Sequence, residues 1–141
     1  MTQLRSYTNR ERALPKRAEA APLPTDHLEE VGAWGGVTSG LSYVYRPATS
    51  DTLHEILLLA RRSGRSVGLR GGGNSYGDAA MNSENIVVDL RRMNRILDWN
   101  PETGVIRLEP GVTLAELWQY VLEDGWWPPV ATGTSLTTMG G

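Results

Sequence analysis

The 141-residue sequence contains no cysteine, which removes disulfides, thiolate metal sites and thiol nucleophiles at once. Phenylalanine is also absent, and the two histidines, His27 and His54, lie too far apart in sequence to suggest a metal pair. No apolar run approaches the ~20 residues that span a bilayer. The opening stretch MTQLRSYTNRERALPKRAEAAPLP lacks the apolar core of a secretory signal, and Glu11 and Glu19 argue against a basic transit peptide. A cytoplasmic location is therefore expected. Charge of one sign is scarce as well: a formal net charge of −2 offers no basic field for nucleic acid.

Glycine, by contrast, is plentiful. Sixteen glycines in 141 residues exceed the usual share of about 7%. They cluster at 71–73, 133 and 140–141, which points to a site rather than a linker. A hydrophobic content of 40% is enough for one domain core.

Residues 1–27 are polar and proline-punctuated and are expected to form a flexible leading segment, with the domain proper over 28–141. In SDTLHEILLLARRSG, Leu53, Ile56, Leu57 and Ala60 recur at helical spacing. Thr52 with Glu55 offers a capping box, Thr49 or Ser50 an alternative cap, and Gly64 a stop. SVGLR (66–70) reads as a short strand running into a glycine loop, and NIVVDL (85–90) as a buried strand. RILDW (95–99) and VIRLEP (105–110) flank NPETG, whose Asn, Pro and Gly predict a hairpin. TLAELWQYVLEDG (113–125) repeats the helix grammar, with Thr113 and Glu116 as a capping box and Leu114, Leu117, Trp118 and Val121 on one face. WWPPVATGTSLTTMGG then has no helical period. The order predicts an α+β fold of mixed α/β layers.

The stretch RGGGNSYGD (70–78) asks for an explanation, because each glycine loses more backbone entropy on folding than any other residue. Successive N–H groups in such a turn can converge on an anion, and the missing Cβ atoms let a phosphate approach the main chain. A diphosphate is the natural guest. The familiar phosphate motifs fail, since no Gly-Lys-Ser/Thr follows and Gly77 comes one residue too late for G-x-G-x-x-G. The chain also continues into another strand rather than a helix. The competing explanation is a glycine-filled turn that lets two strands pack closely. The second glycine-rich segment, TGTSLTTMGG, favours a ligand, because it offers further small residues and hydroxyls to the same site.

Taken together, RSVGLRGGGNSYGDAAMNSENIVVDLRRMNRI, VIRLEPGVTLAELWQYVLEDGWWPPV and TGTSLTTMGG resemble the FAD-binding (PCMH-type) domain of the vanillyl-alcohol oxidase / p-cresol methylhydroxylase superfamily, over roughly residues 30–141. SYGDAA, with GAWGG (32–36), looks most like the decaprenylphosphoryl-ribose oxidase subfamily. The resemblance implies FAD held between two small subdomains. Carried over by match, Gly71, Gly72, Gly73, Asn74, Ser75, Tyr76 and Gly77 would contact the cofactor. Gly133, Thr134, Thr138, Gly140 and Gly141 would approach the flavin and its ribityl-diphosphate stem. Many relatives carry at position 74 a histidine that bonds covalently to flavin; Asn74 cannot, so FAD non-covalent at this position is implied. Thr132 stands where close relatives often have proline.

The implied activity is hydride transfer to flavin from an alcohol group of a small-molecule, sugar-like or polyol substrate. The alternatives are a reductase of the enolpyruvyl-sugar type and a non-catalytic module that captures a diphosphate ligand. The family's domain runs on past the final Gly-Gly, so the chain is expected to be an N-terminal portion, truncated within its second subdomain, with no catalytic residue of its own and weak FAD retention. Among the remaining features, Trp126 and Trp127 read as core or interface residues and RRMNR (91–95) as a solvated face. Asp78 reads as a turn former and Asp89 as a strand end. Arg70 is left between balancing a diphosphate and fixing a local carboxylate.

Overall fold

The structure, a computed structural model, describes residues 22–140. Gly141 and most of the expected leading segment therefore lie outside the described residues. The described chain packs from Leu23, which is buried against Ile56 and Ala60, and a 3-10 turn over Thr25–His27 precedes the first strand.

Two layers carry the fold. A four-stranded sheet is ordered β1-β2-β4-β3, with β1 Leu28–Gly32, β2 Ser39–Tyr45, β3 Val67–Arg70 and β4 Ile86–Asp89. β1 and β2 form an antiparallel hairpin turned by Trp34, Gly35 and Gly36, while β2 and β3 both pair parallel to β4. All four residues of β4 are buried, as a central strand covered on both faces must be. Ile86 and Val88 face helix α1 (Ser50–Ser63), packing with Ile56, Ala60, Leu90 and Met93. Val87 faces the other way, with Val31, Val44 and Met81.

Helix α1 begins at Thr49, whose hydroxyl accepts from the N–H of Thr52, a cap contributing about 1 kcal/mol. The cap is thus one turn ahead of the Thr52–Glu55 box. Gly64 ends the helix in the left-handed conformation (φ 66°). The inward stripe is Leu53, Ile56, Leu59 or Ala60, and Ser63, so Leu57, 44% exposed, falls outside the face expected from the sequence. Position 57 sits 100° around the helix from 56, which takes it out of the buried stripe.

The 15-residue crossover from β3 to β4 contains no helix. It lies on the sheet itself, Met81 filling the face that a crossover helix would otherwise cover. Two glycines make room for it. A Cβ on Gly68 would meet Asn82 Cβ at 2.9 Å, and one on Gly40 would meet Ser83 Cβ at 3.2 Å. Asn82 pins the crossover by donating to the carbonyls of Ser66 (3.1 Å) and Ile86 (2.9 Å).

A second layer is the antiparallel hairpin β5 (Ile96–Asn100) and β6 (Val105–Leu108) with helix α2 (Leu114–Leu122). Asn100 Oδ1 accepts from the N–H groups of Glu102 and Thr103, and Gly104 closes the turn at φ 69°. Val112, Leu117 and Val121 form its core with Ile96, Trp99, Ile106 and Leu108. The Thr113–Glu116 capping box is complete. Trp118, 37% exposed, packs edge-on to Trp127 instead of joining that core, and Trp126 packs edge-on to Trp99.

Arginines clamp carboxylates within each layer. Asp89, 2% exposed, is gripped by Arg91 (2.6 Å) and approached by Arg46 (3.4 Å), and Arg46 also bonds Glu29. Arg95 grips Glu109 at 2.6 Å. The 91–95 stretch, expected to be a solvated face, is exposed at its arginines and Asn94 but buries Met93 in the core, and two of its arginines are clamps. Burial pushes the Asp89 carboxyl up, but the bonds from Arg91 outweigh it and hold the group below its ordinary value.

Candidate cofactor site

β3 delivers the chain into the glycine loop at the C-terminal edge of the parallel strands, the end where open α/β sheets bind ligands. Gly71 and Gly73 are buried, and Gly73 takes a left-handed φ of 70°. A Cβ on Gly72 would meet the Leu136 carbonyl at 2.7 Å, and one on Gly73 would meet the Arg70 guanidinium carbon at 2.7 Å. Gly72 is thus closed to a side chain by backbone, and Gly73 is disfavoured for one by its left-handed conformation and by the arginine it would push aside.

The second glycine segment reaches the same place from the other layer. Its path is fixed by the start of α2: Leu114 N–H donates to Thr137 O (2.9 Å) and Ala115 N–H to Ser135 O (3.0 Å). These first-turn amides are occupied by the loop, so the α2 N-terminus is not the anion site. Thr138 pairs with Thr113, and Met139 N–H donates to Val112 O. Thr138, buried, then accepts at Oγ1 from Gly72 N–H (3.3 Å), and Asn74 Nδ2 donates to Leu136 O (3.2 Å). These two hydrogen bonds join loops 62 and 66 residues apart.

Between the loops lies a cleft of about 150 Å³. Gly71, Gly72, Gly73, Asn74, Ser75 and Thr138, among the expected cofactor contacts, line it, and Leu69, Ala79, Ala80 and Thr137 complete the wall. Tyr76, 84% exposed, and Gly77 lie at the outer end of the loop. Gly133 and Thr134 stand outside the cleft wall, and Gly140 packs on Pro110, donating to its carbonyl at 2.9 Å. Gly141 is outside the described residues. Alanines and Thr137 carry no motif signal of their own; only the position of 79–80 directly after the glycine loop could have flagged them.

The backbone N–H groups of Gly73, Asn74, Ser75, Tyr76 and Gly77 donate to no other described residue. A run of unpaired amides beside the bare backbone of Gly71 to Gly73 matches the donor set a diphosphate needs. Asp78 contributes its carbonyl to the turn, accepting from Met81 N–H at 2.9 Å. No carboxylate lines the cleft, so nothing repels an anion there. Among the described residues there is no group of three potential metal ligands, and no helix is long and apolar enough to cross a membrane.

Comparison with known proteins settles what kind of domain this is. The family model for the FAD binding domain matches residues 41–141. The chain belongs to this FAD-binding family. It is 33% identical over 120 residues to decaprenylphosphoryl-β-D-ribose oxidase of Mycolicibacterium smegmatis, covering 84% of this chain and 26% of that protein. It is 40% identical over 74 residues to D-2-hydroxyglutarate dehydrogenase of Escherichia coli, covering 51% and 7%. It is 32% identical over 73 residues to L-gulonolactone oxidase of Bos taurus, covering 52% and 16%. The chain thus spans about a quarter or less of these relatives. Two solved structures share the fold: aclacinomycin oxidoreductase (TM-score 0.65, 21% identity, 77% of this chain and 22% of that one) and 6-hydroxy-D-nicotine oxidase from Arthrobacter nicotinovorans (0.61, 24%, 67% and 21%). The PCMH-type fold and the resemblance drawn from the sequence are therefore established, and FAD is the family's ligand.

Proposed function

We propose that this chain is the FAD-holding part, residues 28–141 with Leu23 as an anchor, of an oxidoreductase that oxidises an alcohol group on a sugar-like or polyol substrate. The observation that carries the reading is the meeting of the two glycine loops, at Gly72 and Thr138, around a cleft lined with unpaired amides. The relatives named above as oxidases and dehydrogenases of a ribose, a gulonolactone and a hydroxyglutarate support the choice of an alcohol donor.

In this reading the main-chain N–H groups of Gly73 to Gly77 hold the diphosphate, Gly71 and Gly72 give it a bare backbone to approach, and the Ser75 hydroxyl and Tyr76 add to the same rim. Thr138 and Gly140 face the ribityl and flavin end, with Gly133 and Thr134 beyond them; the Gly141 contact implied by the resemblance lies outside the described residues. Bound FAD supplies an acceptor for a hydride leaving a substrate C–H. Asn74 holds the second loop through Leu136 O and has no nucleophilic atom, so the cofactor is held here without a covalent bond. No acid or base lines the cleft, so the group that takes the hydroxyl proton is not among these wall residues.

The test is anaerobic titration of the FAD-loaded protein, expressed from its whole reading frame, with polyols, aldonolactones and NADPH. Bleaching of the flavin band by an alcohol supports the reading. Bleaching by NADPH alone would replace it with an enolpyruvyl-reductase-type activity.

A further inference from the structure

Arg70 is the last residue of β3, and the proposed diphosphate site begins at the next residue. Its Nη1 donates to the carbonyl of Ala80 at 2.9 Å. The face of its guanidinium fills the space that a Cβ on Gly73 would occupy. Gly73 and Ala80 are both wall residues of the cleft, one near the start of the loop and one at its end. The arginine itself does not line the cleft. It spans the back of the loop and ties its two ends together.

Arg46, Arg91 and Arg95 each meet a carboxylate within 3.5 Å. Arg70 meets none among the described residues. Arg61, Arg62, Arg92 and Arg107 also meet no carboxylate among the described residues, but those four are exposed, whereas Arg70 is half-buried. Its one hydrogen-bond partner is a neutral carbonyl. A half-buried guanidinium with no local anion keeps most of its field for what lies in front of it. In front of it is the left-handed turn at Gly73 and the run of unpaired amides that follows.

We infer that Arg70 is a positioning residue for the diphosphate: it braces Gly73 against Ala80 from behind and places an uncompensated positive charge behind the amide-lined wall. This rests on the FAD-holding reading above and deepens it. Of the two roles left open by the sequence it takes the first, balancing a diphosphate, from behind the wall and not inside the cleft, since Arg70 fixes no carboxylate among the described residues. Only arginine meets both demands, because its planar fork can lie against Gly73 while one arm bonds Ala80 O.

The experiment measures FAD affinity by equilibrium dialysis across a range of salt concentrations for the wild-type chain, Arg70→Met and Arg70→Lys. Wild type is expected to bind FAD less tightly as salt rises, because salt screens the guanidinium–diphosphate attraction. Arg70→Met is expected to bind about tenfold or more weakly at low salt, with a flattened salt dependence. Arg70→Lys is expected to keep the salt dependence and lose only part of the affinity, since it keeps the charge without the fork. A purely structural brace would weaken binding without changing the salt slope, so an unchanged slope in Arg70→Met overturns the inference, as does unchanged affinity. If Arg70→Met proves unfolded by far-UV circular dichroism, Arg70→Lys decides: a retained slope supports the inference and a lost slope overturns it. Wild-type protein that binds no FAD at all would instead sink the FAD-holding reading on which the inference stands.

Discussion

The backbone N–H of Gly72 donates to the buried hydroxyl of Thr138 across 66 residues of chain. Gly72 belongs to the crossover of the parallel sheet and Thr138 to the segment laid over α2, so this bond closes the cleft between the two layers. Thr138→Val keeps the shape and removes the acceptor. It should cost about 1–3 kcal/mol in urea unfolding, because the Gly72 amide is left facing a methyl group. Thr138→Ser should retain most of that stability. Equal unfolding midpoints for all three proteins would show that the bond does not hold the layers.

Gly73 and Gly77 both adopt left-handed backbone, yet they predict different outcomes. At Gly77 an added Cβ meets nothing within 4 Å, so Gly77→Ala carries only conformational strain of about 1–2 kcal/mol. At Gly73 the same methyl group also displaces the Arg70 guanidinium. Gly73→Ala should therefore unfold close to Gly77→Ala, because the flexible end of Arg70 can swing aside, but should weaken FAD binding by displacing that guanidinium. Comparing the two variants by thermal unfolding and FAD dialysis checks the difference.

Asp89 gives the acid limb of the stability curve a definite sign. Its carboxyl is held below the ordinary aspartate value by Arg91, so its contribution is complete above about pH 4 and is lost as pH falls through the lower folded value. Urea unfolding from pH 6 to pH 2 should show a wild-type decline below about pH 4 that is shallower in Asp89→Asn. Parallel curves would contradict this.

Gly104 closes the β5–β6 turn at φ 69° directly under Trp126, whose indole N–H donates to Pro101 O at 2.7 Å. A methyl group at 104 would come within 2.6 Å of the indole ring carbon Cε3. Gly104→Ala should cost about 2–4 kcal/mol, strain and overpacking together. It should also release Trp126, read as a red shift of tryptophan emission. Unshifted emission at wild-type stability would argue that the ring is not seated there.

Much of this was legible in the sequence because it rests on local chemistry. The Thr113–Glu116 box, Gly64, the Asn100–Gly104 turn and the β-branched run of β4 all act within a few residues of themselves. The glycine loop was legible through its composition, and SLTTMGG through its hydroxyls. The β1–β2 hairpin was not. Leu28–Gly32 mixes two glutamates with Leu and Val at a sheet edge, and Ser39–Tyr45 opens with Ser and Gly, so neither strand carries a clean period of two. Gly40 and Gly68 look like strand weaknesses until the crossover bearing Asn82 and Ser83 is laid against them. The roles of Arg70, Ala80 and Thr137 depend on contacts across 10 or more residues, for which no local pattern exists.

The central claim is that the two glycine loops hold FAD without a covalent bond, and its most direct test is the visible spectrum of the purified protein after incubation with FAD and removal of excess. The account predicts a flavin spectrum whose colour is released into the supernatant by acid precipitation, and its weakening in Gly73→Ala. A folded protein that stays colourless and cannot be loaded with FAD would contradict the account. Colour that remains in the acid pellet would contradict the non-covalent part of it.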